Sequence, residues 1–174
     1  MENGLYEEAI CFSSLTLRAS KIKEIEKNQL IIKGDITSNY PLFFCYLNFQ
    51  LIRLIKDECL DFDIMSNKNI IIFSKKYIEI FDYKKFKIIS KINIPTDLEI
   101  MSACLYNDKT ILFGCKNEIF IEFNLDDNNE LIEIDRKNFK CHFNHYISQI
   151  LKLKNGSIVV IGDTEVYILK PDKN

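Results

Sequence analysis

The residues of this sequence that could do chemistry fall into small, separate groups. Cys141-His142-Phe143-Asn144-His145 is the one cluster that combines cysteine and histidine. A zinc site needs about four such ligands in tetrahedral geometry, and neither a CxxC pair nor a second histidine pair supplies the missing half. The pattern therefore favours a core thiol at Cys141 and a packed histidine at the start of a strand at His145. We predict no metal site.

Catalytic and cofactor-binding patterns are also missing from the sequence. Carboxylates occur in pairs at Asp61/Asp63 and Asp126-Asp127, in or beside predicted turns, where aspartate is common because it bonds nearby backbone N–H groups. The chain has two histidines as candidate bases and no GxSxG elbow. It has no P-loop and no GxGxxG. We predict no catalytic residues and no cofactor.

One basic stretch contains Lys75-Lys76 and Lys84-Lys85-Phe86-Lys87. It could attract an anionic lipid or an RNA phosphate. The simpler interpretation is a solvated strand edge whose lysines discourage pairing with another chain. The net charge of −2 argues against nucleic acid as the main partner, because such binders are usually basic.

Length and composition predict one domain over residues 1–174. The 174 residues are 47% hydrophobic and 12% aromatic, which excludes a disordered chain and supports a core. No basic leader opens the sequence, and the most apolar stretch, Leu42 to Ile55, is too short and too interrupted to span a bilayer. We expect a soluble, cytoplasmic protein without a transmembrane segment, in which the six cysteines are buried thiols.

The elements that position these residues repeat along the chain. Four segments join a polar turn to an apolar strand, and their first apolar residues are Leu30, Ile70, Ile111 and Ile158. The spacings of 40, 41 and 47 residues are typical of propeller blades with four strands each. The Leu42 to Ile55 region favours a strand over an amphipathic helix. Lys21 to Lys27 is predicted to make one short helical turn.

The last unit, from His145 to Asp163, resembles the WD40-like β-propeller family. It has the order histidine, apolar pattern, turn ending in glycine, apolar strand, small residue and aspartate. Ile80-Phe81-Asp82 stands where the family has its Trp-Asp ending, although the chain contains no tryptophan. The resemblance implies an all-β fold, a propeller-like array of about four blades of four-stranded antiparallel sheet.

The resemblance also implies a non-catalytic scaffold that presents propeller loops and blade edges to other proteins, with no binding residue specified. One alternative is a hydrolase-type enzyme with a site at the propeller channel, where Asp63, Asp108 or His145 would be required. A second alternative is a peripheral binder of anionic lipid or RNA through the stretch from Lys75 to Lys87. A partial ring would favour self-association or completion by a partner chain, and an N-terminal strand around residues 9–17 could complete the last blade.

Overall fold

A computed structural model describes residues 18–35, 41–46, 52–56, 59–126, 128, 130–139, 146–162 and 165–170. Fifteen β-strands run through these residues, and no helix among them is long and apolar enough to cross a membrane. The strands are β1 Arg18–Glu26, β2 Gln29–Asp35, β3 Leu42–Tyr46, β4 Ile52–Lys56, β5 Asp61–Ile64, β6 Ile70–Phe73, β7 Tyr77–Asp82, β8 Lys87–Asn93, β9 Ile100–Leu105, β10 Thr110–Cys115, β11 Ile119–Leu125, β12 Leu131–Asn138, β13 Gln149–Lys152, β14 Ile158–Ile161 and β15 Val166–Leu169.

The strands form four antiparallel sheets, arranged as a four-bladed β-propeller. Blade 1 contains β1 to β4, blade 2 contains β5 to β8, blade 3 contains β9 to β12 and blade 4 contains β13 to β15. Each sheet is a meander in which every strand pairs with the next along the chain. The repeat markers Leu30, Ile70, Ile111 and Ile158 all lie in the second strand of a blade. The fold predicted from the repeat spacing is confirmed.

The first strand of each blade lies on the inside of the array. Successive inner strands contact each other, β1 with β5, β5 with β9, and β9 with β13. The fourth strands of blades 1 to 3 therefore lie on the outside. Blade 4 has three described strands, and the segment predicted to complete it, residues 9–17, lies outside the described residues.

Three apolar clusters hold successive blades together. Between blades 2 and 3, the rings of Phe73 and Phe113 meet edge to face at 6.3 Å. Strands β6 and β10 are buried along their whole length because a neighbouring blade covers each of their faces. In β14 only Val160 is fully buried, and the other three residues are partly exposed.

One local prediction is wrong. Residues 21–27 do not form a helical turn, because residues 21–26 belong to β1, which pairs antiparallel with β2. That pairing satisfies the backbone of the segment and decides its structure over local propensity. Asp61 and Asp63 lie in β5, beside the turn that begins at Met65. The Leu42 to Ile55 region supplies β3 and β4, as predicted.

The hairpins that follow β5 and β13 have the same turn. In each turn, the backbone N–H of the first residue donates to the carbonyl of the residue four positions later. These bonds are Met65 to Asn69 at 2.9 Å and Leu153 to Ser157 at 2.8 Å. The fourth residue of each turn has a positive φ, 69° at Lys68 and 81° at Gly156. Glycine adopts this conformation without steric cost, so the Asn-Gly signal of the last unit identified the turn correctly.

Candidate functional site

Lysines of blade 1 and aspartates of blade 2 face each other across the inner strands. Lys21 Nζ donates to Asp61 Oδ1 at 2.7 Å, and Lys23 Nζ donates to Asp63 Oδ1. The partners in each pair are 40 residues apart, which is the repeat spacing. Because alternate residues of a strand share a face, two lysines and two aspartates at i and i+2 form two parallel pairs.

These interactions occupy the carboxylates that the sequence marked as candidate acids. Asp61 Oδ1 also accepts from the backbone N–H of Phe62, and Asp63 Oδ1 from that of Ile64, both at 2.8 Å. Asp108 lies in the first turn of blade 3, where its Oδ1 accepts from the backbone N–H of Ser66 at 2.9 Å. These contacts join the inner hairpins of adjacent blades. His145, the remaining residue predicted for a hydrolase site, lies in residues 140–145, outside the described part, together with Cys141 and His142.

A cavity of about 640 Å³ opens at one end of the inner strands, which we call the channel mouth. All four blades contribute to its wall through residues such as Lys21, Asp61, Ser102 and Gln149. Lys33 Nζ also lines it and donates to the carbonyl of Leu60 at 2.5 Å. The mouth thus combines ammonium groups, amides and hydroxyls, which suits recognition of polar groups.

A groove of about 750 Å³ lies beside the channel mouth, between blades 2 and 3. We call it the lysine groove, because the exposed residues Lys75, Lys76 and Lys91 line it. Its apolar side chains come from the β8–β9 connection and the start of β9. They are Ile94, Pro95, Leu98, Ile100 and Met101. An apolar floor with a cationic rim matches a ligand that carries both apolar and acidic groups.

Tyr77 is the aromatic residue of the lysine groove. The Nζ atoms of Lys91 and Lys56 lie 3.8 and 4.9 Å from its ring centroid. Lys56 Nζ also donates at 2.7 Å to Glu79 Oε2, whose side chain is buried. Burial lowers the pKa of Lys56, but hydrogen bonds to Glu79 and Tyr77 outweigh it, so the pKa lies above the ordinary 10.5. This group ties β4 of blade 1 to β7 of blade 2.

The fold separates the two halves of the basic stretch. Lys75 and Lys76 precede β7, whereas Lys84 and Lys85 follow it. A strand of six residues spans about 20 Å at about 3.3 Å per residue. The two lysine pairs therefore lie at opposite ends of blade 2 and do not form one surface patch. At the far end, Asp82 Oδ1 accepts the backbone N–H groups of Lys84 and Lys85 at 3.0 Å.

The described thiols are buried and free, as predicted for Cys59, Cys104 and Cys115. Burial raises the pKa of Cys59 to about 12, and a nearby aspartate adds to the effect. Burial likewise raises the pKa of Cys104 and of Cys115 to about 11. Since the thiolate is the reactive form of cysteine, these three groups are poor nucleophiles at neutral pH.

Sequence reasoning did not find the lysine groove as a site. Its lysines come from two separate parts of blade 2, and its floor comes from the connection to blade 3. The repeat holds one signal that could have located the groove, because the segments that connect consecutive blades lie at one end of the array. Using this signal requires the strand directions, which show that Lys75 and Lys76 lie at the same end as the β8–β9 connection.

No protein-family model matches the sequence, and no curated protein matches it. Solved structures do. A WD40 β-propeller domain of Doa1 is similar with a TM-score of 0.62 and 16% identity, over 89% of this chain and 51% of that one. The extracellular domain of BT4673 from B. thetaiotaomicron is similar with a TM-score of 0.57 and 11% identity, over 83% of this chain and 20% of that one. The extracellular domain of BT3049 from the same organism is similar with a TM-score of 0.52 and 17% identity, over 82% of this chain and 19% of that one.

The chain thus spans about half of the matched WD40 propeller domain and about a fifth of the two bacterial extracellular domains. At these identities the similarity concerns backbone arrangement alone. Together with the four meander sheets, it shows that the chain has the β-propeller fold.

Proposed function

We propose that this chain is a non-catalytic protein–protein interaction scaffold that presents its propeller loops and blade edges to a partner. The lysine groove is the observation that carries the proposal. Three exposed lysines line a groove with an apolar floor, and Glu99, which also lines the groove, is paired with Lys116 at 3.1 Å. A surface of this kind favours a partner segment that combines acidic and apolar side chains.

The hydrogen bonds of the candidate acids support a structural role for these residues. Asp61 and Asp63 are bonded to lysines and backbone N–H groups. Asp108 accepts a hydrogen bond from the backbone of Ser66 in the preceding blade. A general acid or base must instead be able to exchange a proton with a substrate within hydrogen-bond reach. The hydrolase alternative would therefore need its catalytic groups from residues 140–145 or from other residues at the propeller channel.

The test measures binding of fluorescein-labelled peptides that alternate glutamate with leucine or phenylalanine, alongside peptides with lysine in place of glutamate. The acidic peptides should bind, and their affinity should fall with added salt, since exposed charges are screened. The double variant Lys75→Glu/Lys76→Glu should lose at least tenfold in affinity, a change of about 1.4 kcal/mol.

The matched control is Lys84→Glu/Lys85→Glu, which makes the same change in charge at the opposite end of blade 2. It should leave peptide affinity within twofold of the wild type. Equal losses in both variants would show that net charge, rather than the lysine groove, attracts the peptide. Strong binding of anionic vesicles or RNA that is lost in the Lys84/Lys85 variant would instead favour the peripheral-binder alternative.

A further inference from the structure

The lysine groove carries more positive charge than the residues around it neutralise. Lys75, Lys76 and Lys91 line it, and none of the three forms an ion pair among the residues that the structure describes. Glu99 is the one carboxylate among the described residues of the groove wall, and it is paired with Lys116. The charges of the three lysines therefore remain for a ligand to neutralise.

Backbone hydrogen bonds hold these lysines around one groove. Lys75 and Lys76 lie in the turn between β6 and β7, and Lys91 lies in β8, opposite Glu79 of β7. The backbone N–H of Ile94 donates to the carbonyl of Lys76 at 3.0 Å, which keeps the connection after β8 beside that turn. The positions of the ammonium groups thus follow from the pairing of blade 2 and from the path of the chain into blade 3.

Lys91 is oriented without losing its charge. Its Nζ lies 3.8 Å from the centroid of the Tyr77 ring, within the distance at which an aromatic face attracts a cation. Because this attraction comes from the quadrupole of the ring, it positions the ammonium group but does not neutralise it. The exposed residues Asn93 and Thr96 line the same groove and add an amide and a hydroxyl.

The charge of the groove selects among acidic groups. A carboxylate brings one negative charge and two acceptor oxygens. A phosphate monoester brings a charge of about −1.5 to −2 at pH 7 and three strong acceptor oxygens. Lysine binds phosphate as a point charge, so several ammonium groups around one phosphate give a favourable site. The phosphate monoester therefore matches the three lysines better than a single carboxylate does.

The floor of the groove adds a requirement for apolar groups. Pro95 is exposed, and Leu98 and Met101 are partly exposed, all beside the lysines. A free phosphate ion would leave this apolar surface in water. A phosphorylated protein segment would cover it with a neighbouring apolar side chain while its phosphate meets the lysines.

We infer that the lysine groove binds a partner segment in which a phosphorylated residue stands beside an apolar one. This inference rests on the proposed function and specifies the chemistry of its partner. Phosphorylation of the partner would then control its binding to the scaffold. A lipid surface matches the observations less well, because the lysines line a concave groove and Lys84 and Lys85 lie at the opposite end of blade 2.

The first experiment compares three fluorescein-labelled peptides that have the same leucine-containing sequence and differ at one central residue, which is serine, glutamate or phosphoserine. Fluorescence anisotropy should show that the phosphoserine peptide binds more tightly than the serine peptide by about tenfold or more. It should also bind more tightly than the glutamate peptide, by about threefold or more. Equal affinities for glutamate and phosphoserine would overturn the inference and leave the proposed function standing. Absence of binding by all three peptides would overturn both.

The second experiment places the phosphate in the groove. The double variant Lys75→Met/Lys76→Met removes two charges and keeps much of the side-chain length, and it should reduce the preference for phosphoserine over glutamate to within about twofold. The matched control Lys84→Met/Lys85→Met should keep the wild-type preference. A preference that survives in the groove variant, or that is lost equally in the control, would overturn the inference. If the circular dichroism spectrum shows that the double variant is unfolded, Lys91→Met provides the same test from β8.

The third experiment identifies the ionic form and the source of the phosphate. The second pKa of a phosphate monoester is about 6, so the affinity for the phosphoserine peptide should rise between about pH 5 and pH 7.5 relative to that for the glutamate peptide. Parallel pH profiles for the two peptides would contradict binding of the dianion. Inorganic phosphate that displaces the peptide at a concentration near the peptide Kd would show a site for the free ion and refute the peptide. Vesicles of phosphatidylcholine and phosphatidylinositol phosphate that bind more tightly than the peptide, and only to protein with Lys75 and Lys76 intact, would refute it in favour of a membrane.

Discussion

Gly114→Ala tests how blade 4 is fixed to blade 3. Gly114 lies in β10 opposite Ser102 of β9, where the chain entering blade 4 crosses close to the sheet. A Cβ at this position would lie 2.4 Å from Ile147 Cγ2 and 2.4 Å from Ser102 Oγ. Ordinary contacts begin at 3.4 Å, so these side chains would have to move by about 1 Å. Ile147 is 1% exposed and has little room for that shift.

The expected magnitude follows from two opposing effects. Overpacking a close-packed core costs about 1–3 kcal/mol. Replacing glycine by alanine also restricts the unfolded chain, which offsets about 0.4–1 kcal/mol. We expect a net loss of about 1–2 kcal/mol, which lowers the melting temperature by about 2–8 °C for a chain of this size. Ser102 Oγ also donates to the Ile147 carbonyl at 2.9 Å, and a shift of Ile147 would weaken that bond.

The assay is urea unfolding followed by circular dichroism, with thermal unfolding as a second measure. The double variant Ser102→Ala/Gly114→Ala removes one of the two closest contacts. Its loss should be smaller than the sum of the two single losses, because neighbouring substitutions share the same space. A Gly114→Ala protein as stable as the wild type would refute the close approach of Ile147 and the packing derived from it.

Two further predictions concern buried groups. The folded-state pKa of Cys59 is about 12 against an ordinary value of 9.0, so the unfolded thiol ionises first and stability should fall as the pH rises from about 9 to about 12. The loss in free energy of unfolding from this thiol reaches about 4 kcal/mol at the upper pH. Cys59→Ala should therefore lose less stability than the wild type between these pH values, as measured by urea titrations at each pH. Parallel stability curves for the two proteins would contradict the raised pKa of Cys59. Glu118 is 2% exposed, and neither of its carboxylate oxygens has a hydrogen-bond partner among the residues that the structure describes. Glu118→Met should therefore raise the free energy of unfolding by about 1–3 kcal/mol, and a loss of stability in differential scanning calorimetry would show that the carboxylate is paired in solution.

Part of the fold could be predicted from the sequence because the information is local. The apolar runs at Ile70 and Ile111 have the length and β-branched content of covered central strands, and their spacing is the length of one blade. Turn chemistry at Asn155-Gly156 likewise predicted the hairpin between β13 and β14. The Leu42 to Ile55 region was assigned to strands by its aromatic content and by its place in the repeat.

Other features depended on neighbours that are distant in the chain. Residues 21–26 have the composition of an exposed helical turn, yet pairing with β2 makes them a strand. Asp61 and Asp63 are residues common in or beside turns, but their role depends on Lys21 and Lys23, which come from the preceding blade. The basic stretch is continuous in the sequence, but the strand that divides it places its halves at opposite ends of a blade.

The sequence by itself determined the secondary structure type, the repeat and the number of blades, because alternation, β-branching and turn residues act over a few positions. Only the tertiary structure decided which charged residues pair, where the lysine groove lies and which faces stay open. The physical reason is that each of these depends on which strands become neighbours and in which register. A shift of one residue would move Leu151 and Ile168 from the exposed face of blade 4 to the face that packs on blade 3.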